Sequence, residues 1–113
     1  MSLINDKISI TLNEKTYSAK MDFYAIANTQ WFFKHEKGVF LTVPQMIEGI
    51  SKDDLSIMGE ILIQSILRVH TQLSRETIQE QMKFNELNII RQALGDLVTA
   101  SLPQSDDKKK VEE

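Results

Sequence analysis

Between residues 55 and 69, apolar side chains occupy most of a helical circumference. They leave mainly one polar ridge, Ser56, Glu60, Gln64 and Arg68, at four-residue spacing. A helix with so little polar surface has to be buried, so the rest of the chain is expected to pack around it as a central element. The ridge also keeps this segment from being a membrane span, because Glu60, Gln64 and Arg68 interrupt its apolar run. Gly59 lies in the helix interior, where glycine costs about 1 kcal/mol against alanine, so a second backbone is expected to approach closely there.

The flanking segments supply the cover. Ile8, Ile10 and Leu12 alternate with polar residues, Asn13-Glu14-Lys15 has turn chemistry, and Thr16, Tyr17 and Met21 continue an extended pattern, which predicts a β-hairpin over residues 7–21. Two strands alone are only marginally stable in water, so one face must pack on helices and an edge is left over. Asp22 is placed to cap a first helix carrying Phe23, Ile26, Ala27 and Trp31, which Gly38 can end in the left-handed conformation. Pro44 suits the first turn of a short second helix with Met46, Ile47 and Ile50. Ser51-Lys52-Asp53-Asp54 resembles a capping box that opens the central helix. Ser74 and Thr77 predict a fourth short helix through Lys83. Asn85 predicts the cap of a fifth, striped by Leu87, Ile90, Leu94, Leu97 and Val98 and stopped by Pro103.

The fold class expected is therefore α+β: one mostly helical domain with an N-terminal hairpin followed by four to five helices, over residues 1–103, and a disordered charged tail over 104–113. The chain has 113 residues, and two independent cores would leave each half below about 60 residues, where burial is marginal. With 42% hydrophobic and 26% charged residues the composition is globular rather than disordered. The net charge of -3 gives no electrostatic reason to approach a phosphate backbone or an anionic membrane, so protein partners are favoured. Residues 1–7 carry no apolar stretch of signal-peptide length, and cysteine is absent, which fits a cytoplasmic protein.

Nothing in the sequence assembles a reaction centre. His35 and His70 lie far apart without metal-ligand spacing, and each suits a helix C-terminus, where the dipole favours it. Asp53 and Asp54 are explained by capping. The serines lack a nucleophile elbow, and the four glycines form neither a phosphate loop nor a dinucleotide fingerprint. No enzyme, no cofactor and no metal site is expected. The helices over residues 75–95 offer a superficial helix-turn-helix, with Arg75, Lys83 and Arg91 for phosphates and Asn88 or Gln92 for base edges. Glu76, Glu80 and Glu86 are interleaved with them, which disfavours nucleic acid. That DNA-binding regulator is the alternative function.

The most suggestive local feature is Trp31-Phe32-Phe33. Successive helical residues point about 100° apart, so three adjacent aromatics cannot all face one core. Either the following segment folds over them or they form a contact patch that Phe40 extends. The candidate partner-binding residues are accordingly Trp31, Phe32, Phe33 and Phe40, with Ile8, Ile10 and Leu12 on the hairpin. The apolar central helix packs either within one chain or across a dimer, so a homo-oligomer stays open.

Read in order, the hairpin ISITLNEKTYSAKM, the helix DFYAIANTQWFF, the stretch TVPQMIEGISKDDLSIMGEILIQSILR and the closing amphipathic helix resemble the small tail-assembly chaperones of long-tailed phages and gene transfer agents. The likeness covers roughly residues 6–102. It implies a non-catalytic protein of the bacterial host cytoplasm that binds the tail-tube protein or the tape-measure protein during phage or prophage tail morphogenesis and is absent from the finished virion. An unpaired hairpin edge, from residues 8–12 or 16–20, could then shield a partner strand by augmentation. Relatives are often made in two lengths by ribosomal slippage, and Lys108-Lys109-Lys110 can be encoded by an adenine run that permits it. Sequencing the gene tests this: an uninterrupted run with an overlapping downstream frame is expected, and broken adenines would remove the idea.

Overall fold

In a computed structural model, which describes residues 7–101, an antiparallel hairpin is followed by five α-helices. The charged tail expected over 104–113, and Pro103 as a helix stop, lie outside the described residues. Strands β1 (Lys7–Leu12) and β2 (Lys15–Lys20) pair in the register Ile8 with Ala19, Ile10 with Tyr17 and Leu12 with Lys15. Lys15 already belongs to the ladder, so the connection is the two residues Asn13 and Glu14, both at positive φ (51° and 68°). That is the signature of the hairpin turn whose twist matches the strands, here built without glycine. Asn13 is held there: its N–H donates to the Glu86 carboxylate at 3.1 Å and its side chain to Gln81 at 2.9 Å.

Helix α1 (Phe23–Phe32) starts where Asp22 accepts the N–H of Ala25. Burial pushes the Asp22 carboxyl up, but that N–H and the guanidinium of Arg68 outweigh it and hold the group below its ordinary value. A π-helical turn, Phe33–Lys37, extends α1 to Gly38, which ends it at φ 70°. Helix α2 (Val43–Ser51) opens on a full capping box between Thr42 and Gln45, with Pro44 in its first turn. Helix α3 (Leu55–Leu67) is capped by Asp54 rather than Ser51. Ser51 is the last residue of α2, and its hydroxyl donates to Glu48 O. Lys52 and Asp53, the latter at φ 59°, make the reversal between the two helices. Helix α4 (Arg75–Glu80) begins at Ser74 as expected but ends three residues before Lys83. Asn85 sits inside a 3-10 turn, Phe84–Glu86, that leads directly into α5 (Leu87–Ser101) instead of capping it.

Helix α3 is the centre, touched by α1, α2, β2, α4 and α5. Ile57, Met58, Ile61, Leu62, Ile63 and Ile66 are buried in one cluster with Ile10, Leu12, Tyr17 and Ala19 of the hairpin and Ile90, Leu94 and Leu97 of α5. Its polar ridge is a solvent face only at its ends, Ser56 and Arg68. Glu60 is only 2% exposed, and α4 brings Arg75 to it, with Nε 2.9 Å from one carboxylate oxygen. The hydrogen bond to Glu60 raises the Arg75 pKa still further, and the guanidinium also stacks 4.2 Å over the Phe32 ring. An unpaired carboxylate at this depth would cost several kcal/mol, so α4 is tied to α3 by charge as well as by Ile78.

The crowding expected at Gly59 is absent: a Cβ there would meet only the Met82 sulfur, at 3.9 Å. The tight approach lies at Gly49, where α2 crosses α3 and a Cβ would fall 2.6 Å from Ile57 Cδ1. Gly49→Ala is therefore expected to destabilise the fold by about 1–3 kcal/mol through overpacking. Gly59→Ala should be neutral or stabilising by up to about 1 kcal/mol. Urea denaturation of both variants checks the pair.

Candidate binding surface

A two-stranded sheet has two outer edges, and this fold treats them differently. Because Leu12 and Lys15 close a two-residue turn, the ladder hydrogen bonds join Leu12 with Lys15, Ile10 with Tyr17 and Ile8 with Ala19. The backbone groups of Ser9 and Thr11 on β1, and of Thr16 and Ser18 on β2, therefore point outward. On the β2 side, the N–H of Ser18 donates to Nε2 of His70 at 3.0 Å, and the imidazole stands edge-on to the Tyr17 ring. That bond requires the tautomer with its proton on Nδ1. His70 is thus an edge cap reaching from the turn after α3, a role its lone occurrence in the sequence could not reveal.

The β1 side is open. At its turn end Glu86 takes the N–H of Asn13, but the N–H groups of Ser9 and Thr11 have no partner among the described residues. Beside them lies a groove of about 430 Å³, with Ser9, Ile10 and Thr11 on one wall and Asn88, Ile89, Gln92, Ala93 and Asp96 of α5 on the other. Ile89 is 44% exposed in it. The inward faces of the strands are core, so the hairpin residues proposed as contacts divide. Ile10 and Leu12 are buried at 3% and 0%, Ile8 is half-buried, and none offers a free side chain. What the hairpin presents is main chain at Ser9 and Thr11.

The aromatic run divides as the 100° rule demands. Phe33 is a core residue, which corrects its place in the contact patch. Phe32 is half-buried, edge-on to Phe33 and under Arg75. Trp31 is 59% exposed and stacks on His35 with ring centres 4.2 Å apart, while Phe40 is 60% exposed in the segment that Gln30 ties to α1 through Leu41 O. Phe23, Tyr24 and Phe84 are further exposed aromatics that the sequence reading missed; the first two sit one and two residues past the Asp22 cap, where a helix start often faces solvent. The described residues contain no group of three or more His, Asp or Glu that could hold a metal, and no helix among them is long and apolar enough to cross a membrane.

Two of the three cations considered for DNA are otherwise engaged. Arg75 is paired with Glu60, and Arg91 reaches Asp53 at 2.8 Å, whose hydrogen bond holds that carboxyl below its ordinary value. No protein-family model, curated protein or solved structure matches the chain.

The exposures generate a simple contrast. Trp31→Ala and Phe40→Ala should each change stability by less than about 0.5 kcal/mol, whereas Phe33→Ala should cost about 3–5 kcal/mol. Denaturant midpoints of the three variants, at unchanged slope, measure it.

Proposed function

We propose that this protein is a non-catalytic assembly chaperone for phage or prophage tails, acting in the bacterial host cytoplasm, that holds an extended segment of the tail-tube or tape-measure protein against the outer edge of β1. The observation that carries this reading is the asymmetry of the hairpin. His70 blocks the middle of the β2 edge at Ser18, leaving only the Thr16 N–H beside the turn, while the β1 edge keeps its donors and acceptors at Ser9 and Thr11, unpartnered among the described residues, beside a groove. Open strand edges attract strands, and proteins normally blunt them. Leaving one open beside a helical shelf suits a protein whose task is to occupy another chain's sticky strand until assembly. The resemblance in element order to tail-assembly chaperones points the same way, as does the exposed aromatic surface of Trp31 and Phe40, whose residue types make good interface anchors.

The geometry also decides which substitution is informative. Ile10→Pro would strike an N–H that faces β2, together with a core side chain, and would damage the hairpin itself. Ser9→Pro removes an outward N–H, a position where an edge strand tolerates proline. Co-expression with the tail-tube protein of the same phage or prophage is expected to recover a complex with the natural chain and to lose at least tenfold of it with Ser9→Pro, circular dichroism showing both folded. Equal recovery by a folded Ser9→Pro variant would eliminate the edge as the contact. Failure of the natural chain with both the tube and the tape-measure protein would eliminate the tail-chaperone reading.

A further inference from the structure

The groove beside β1 constrains what can lie in it. Helix α5 runs antiparallel to β1: Glu86, just before it, meets Asn13 at the turn, and Ser101 at its far end donates to Met21 O, one residue beyond the Lys7–Lys20 pair. Along the groove, α5 presents the row Asn88, Gln92 and Asp96, with Ile89 and Ala93 beside it. A third strand would sit about 4.8 Å outside β1, over this row. A second copy of the chain does not fit that place, because it would bring its own α5 into the same layer. Packed helices need about 8–10 Å between axes, against about 4.8 Å between paired strands. The shelf therefore takes a strand that arrives without a helix beneath it.

Resting on the strand-capture reading, we propose that the captured segment is an antiparallel strand with an apolar residue followed two positions later by lysine or arginine. Antiparallel pairing is the more stable geometry per residue. In it, the residues facing Ser9 and Thr11 make the hydrogen bonds and point to solvent, while the residue opposite Ile10 points down onto Ile89 and Ala93 and has to be apolar. The next inward residue lies opposite Ile8, about 7 Å further along. On the α5 axis, Asp96 lies about 7.5 Å beyond the midpoint between Ile89 and Ala93, taking 1.5 Å per residue. The two spacings coincide, so that inward side chain lands beside Asp96. This carboxylate is exposed and accepts only the Gln92 amide, at 3.0 Å; it has no ion pair among the described residues. At the other end the groove is lined by Asn88, which is uncharged, and the carboxylate beyond it, Glu86, already accepts the Asn13 N–H.

The test uses blocked peptides Ser-Thr-Ile-Thr-Lys-Thr-Ser and Ser-Thr-Ile-Thr-Glu-Thr-Ser, titrated into the full chain and followed through the backbone amides of Ser9, Thr11 and Asp96 by NMR. The lysine peptide is expected to bind about twofold to fivefold more tightly, as an exposed ion pair allows. Asp96→Lys should reverse the order and Asp96→Asn should abolish the difference; the position is exposed and both variants should fold normally. An order unchanged in Asp96→Lys overturns the inference, and if Ser9→Pro still prevents binding in that case, strand capture itself survives. Binding that ignores Ser9→Pro, or no shift with either peptide, overturns both.

Discussion

Everything in this fold follows from the need to bury α3 on nearly every side. Six of its residues from Ile57 to Ile66 are aliphatic or methionine side chains in the core, and no other helix is touched by so many elements. Two small layers do the covering, the hairpin with α5 on one side and α1 and α2 on another, and α4 closes the remaining face. The cost of full burial appears at Glu60. A carboxylate on a surrounded helix has no water, so the chain supplies Arg75 from α4 and shields the pair with Phe32. The short helix α4, too brief to be stable alone, is held by this pair, by Ile78 and by its Ser74 cap.

The hairpin depends on the same helix. Two strands do not stand alone in water, and here Ile10, Leu12, Tyr17 and Ala19 acquire their stability by facing α3 and α5. Docking on helices satisfies one face of a sheet but not its edges. The molecule deals with each edge separately: a histidine after α3 blocks the middle of the β2 side at Ser18, a glutamate before α5 takes the N–H at the turn end, and the central stretch of β1 has no partner among the described residues. The functional proposal rests on that difference, which is a matter of backbone groups rather than of a reactive side chain.

Much of the fold was legible in the sequence because it rests on periodicity and caps. The alternation of Ile8, Ile10 and Leu12, the cap at Asp22, the left-handed stop at Gly38 and Pro44 in a first turn all lie where local pattern placed them. The misplacements share a physical cause, namely that tertiary contacts decide between locally equivalent options. Asp54 displaces Ser51 as the α3 cap because Ser51 still belongs to α2. Glu60 reads as a solvent ridge until α4 arrives. Gly49 and Gly59 look alike in sequence, yet only Gly49 lies where another helix crosses. The candidate contact residues were legible only as residue types: exposed Trp31 and Phe40 could be told from buried Phe33 only by geometry. The edge over residues 8–12 could be named from the sequence, but that Ser9 and Thr11 carry its outward N–H groups follows only from the register, since any residue can carry an outward N–H.

The most direct test of strand capture at β1 is amide hydrogen exchange along the hairpin, with and without the tail-tube protein. In the isolated chain, Ser9 and Thr11 should exchange rapidly while Ile8, Ile10 and Leu12, bonded to β2, exchange slowly. In the complex, the amides of Ser9 and Thr11 should become protected while that of Ser18, already held by His70, changes little. A complex in which Ser9 and Thr11 still exchange at the free rate would contradict the account and move the contact to the exposed aromatic surface.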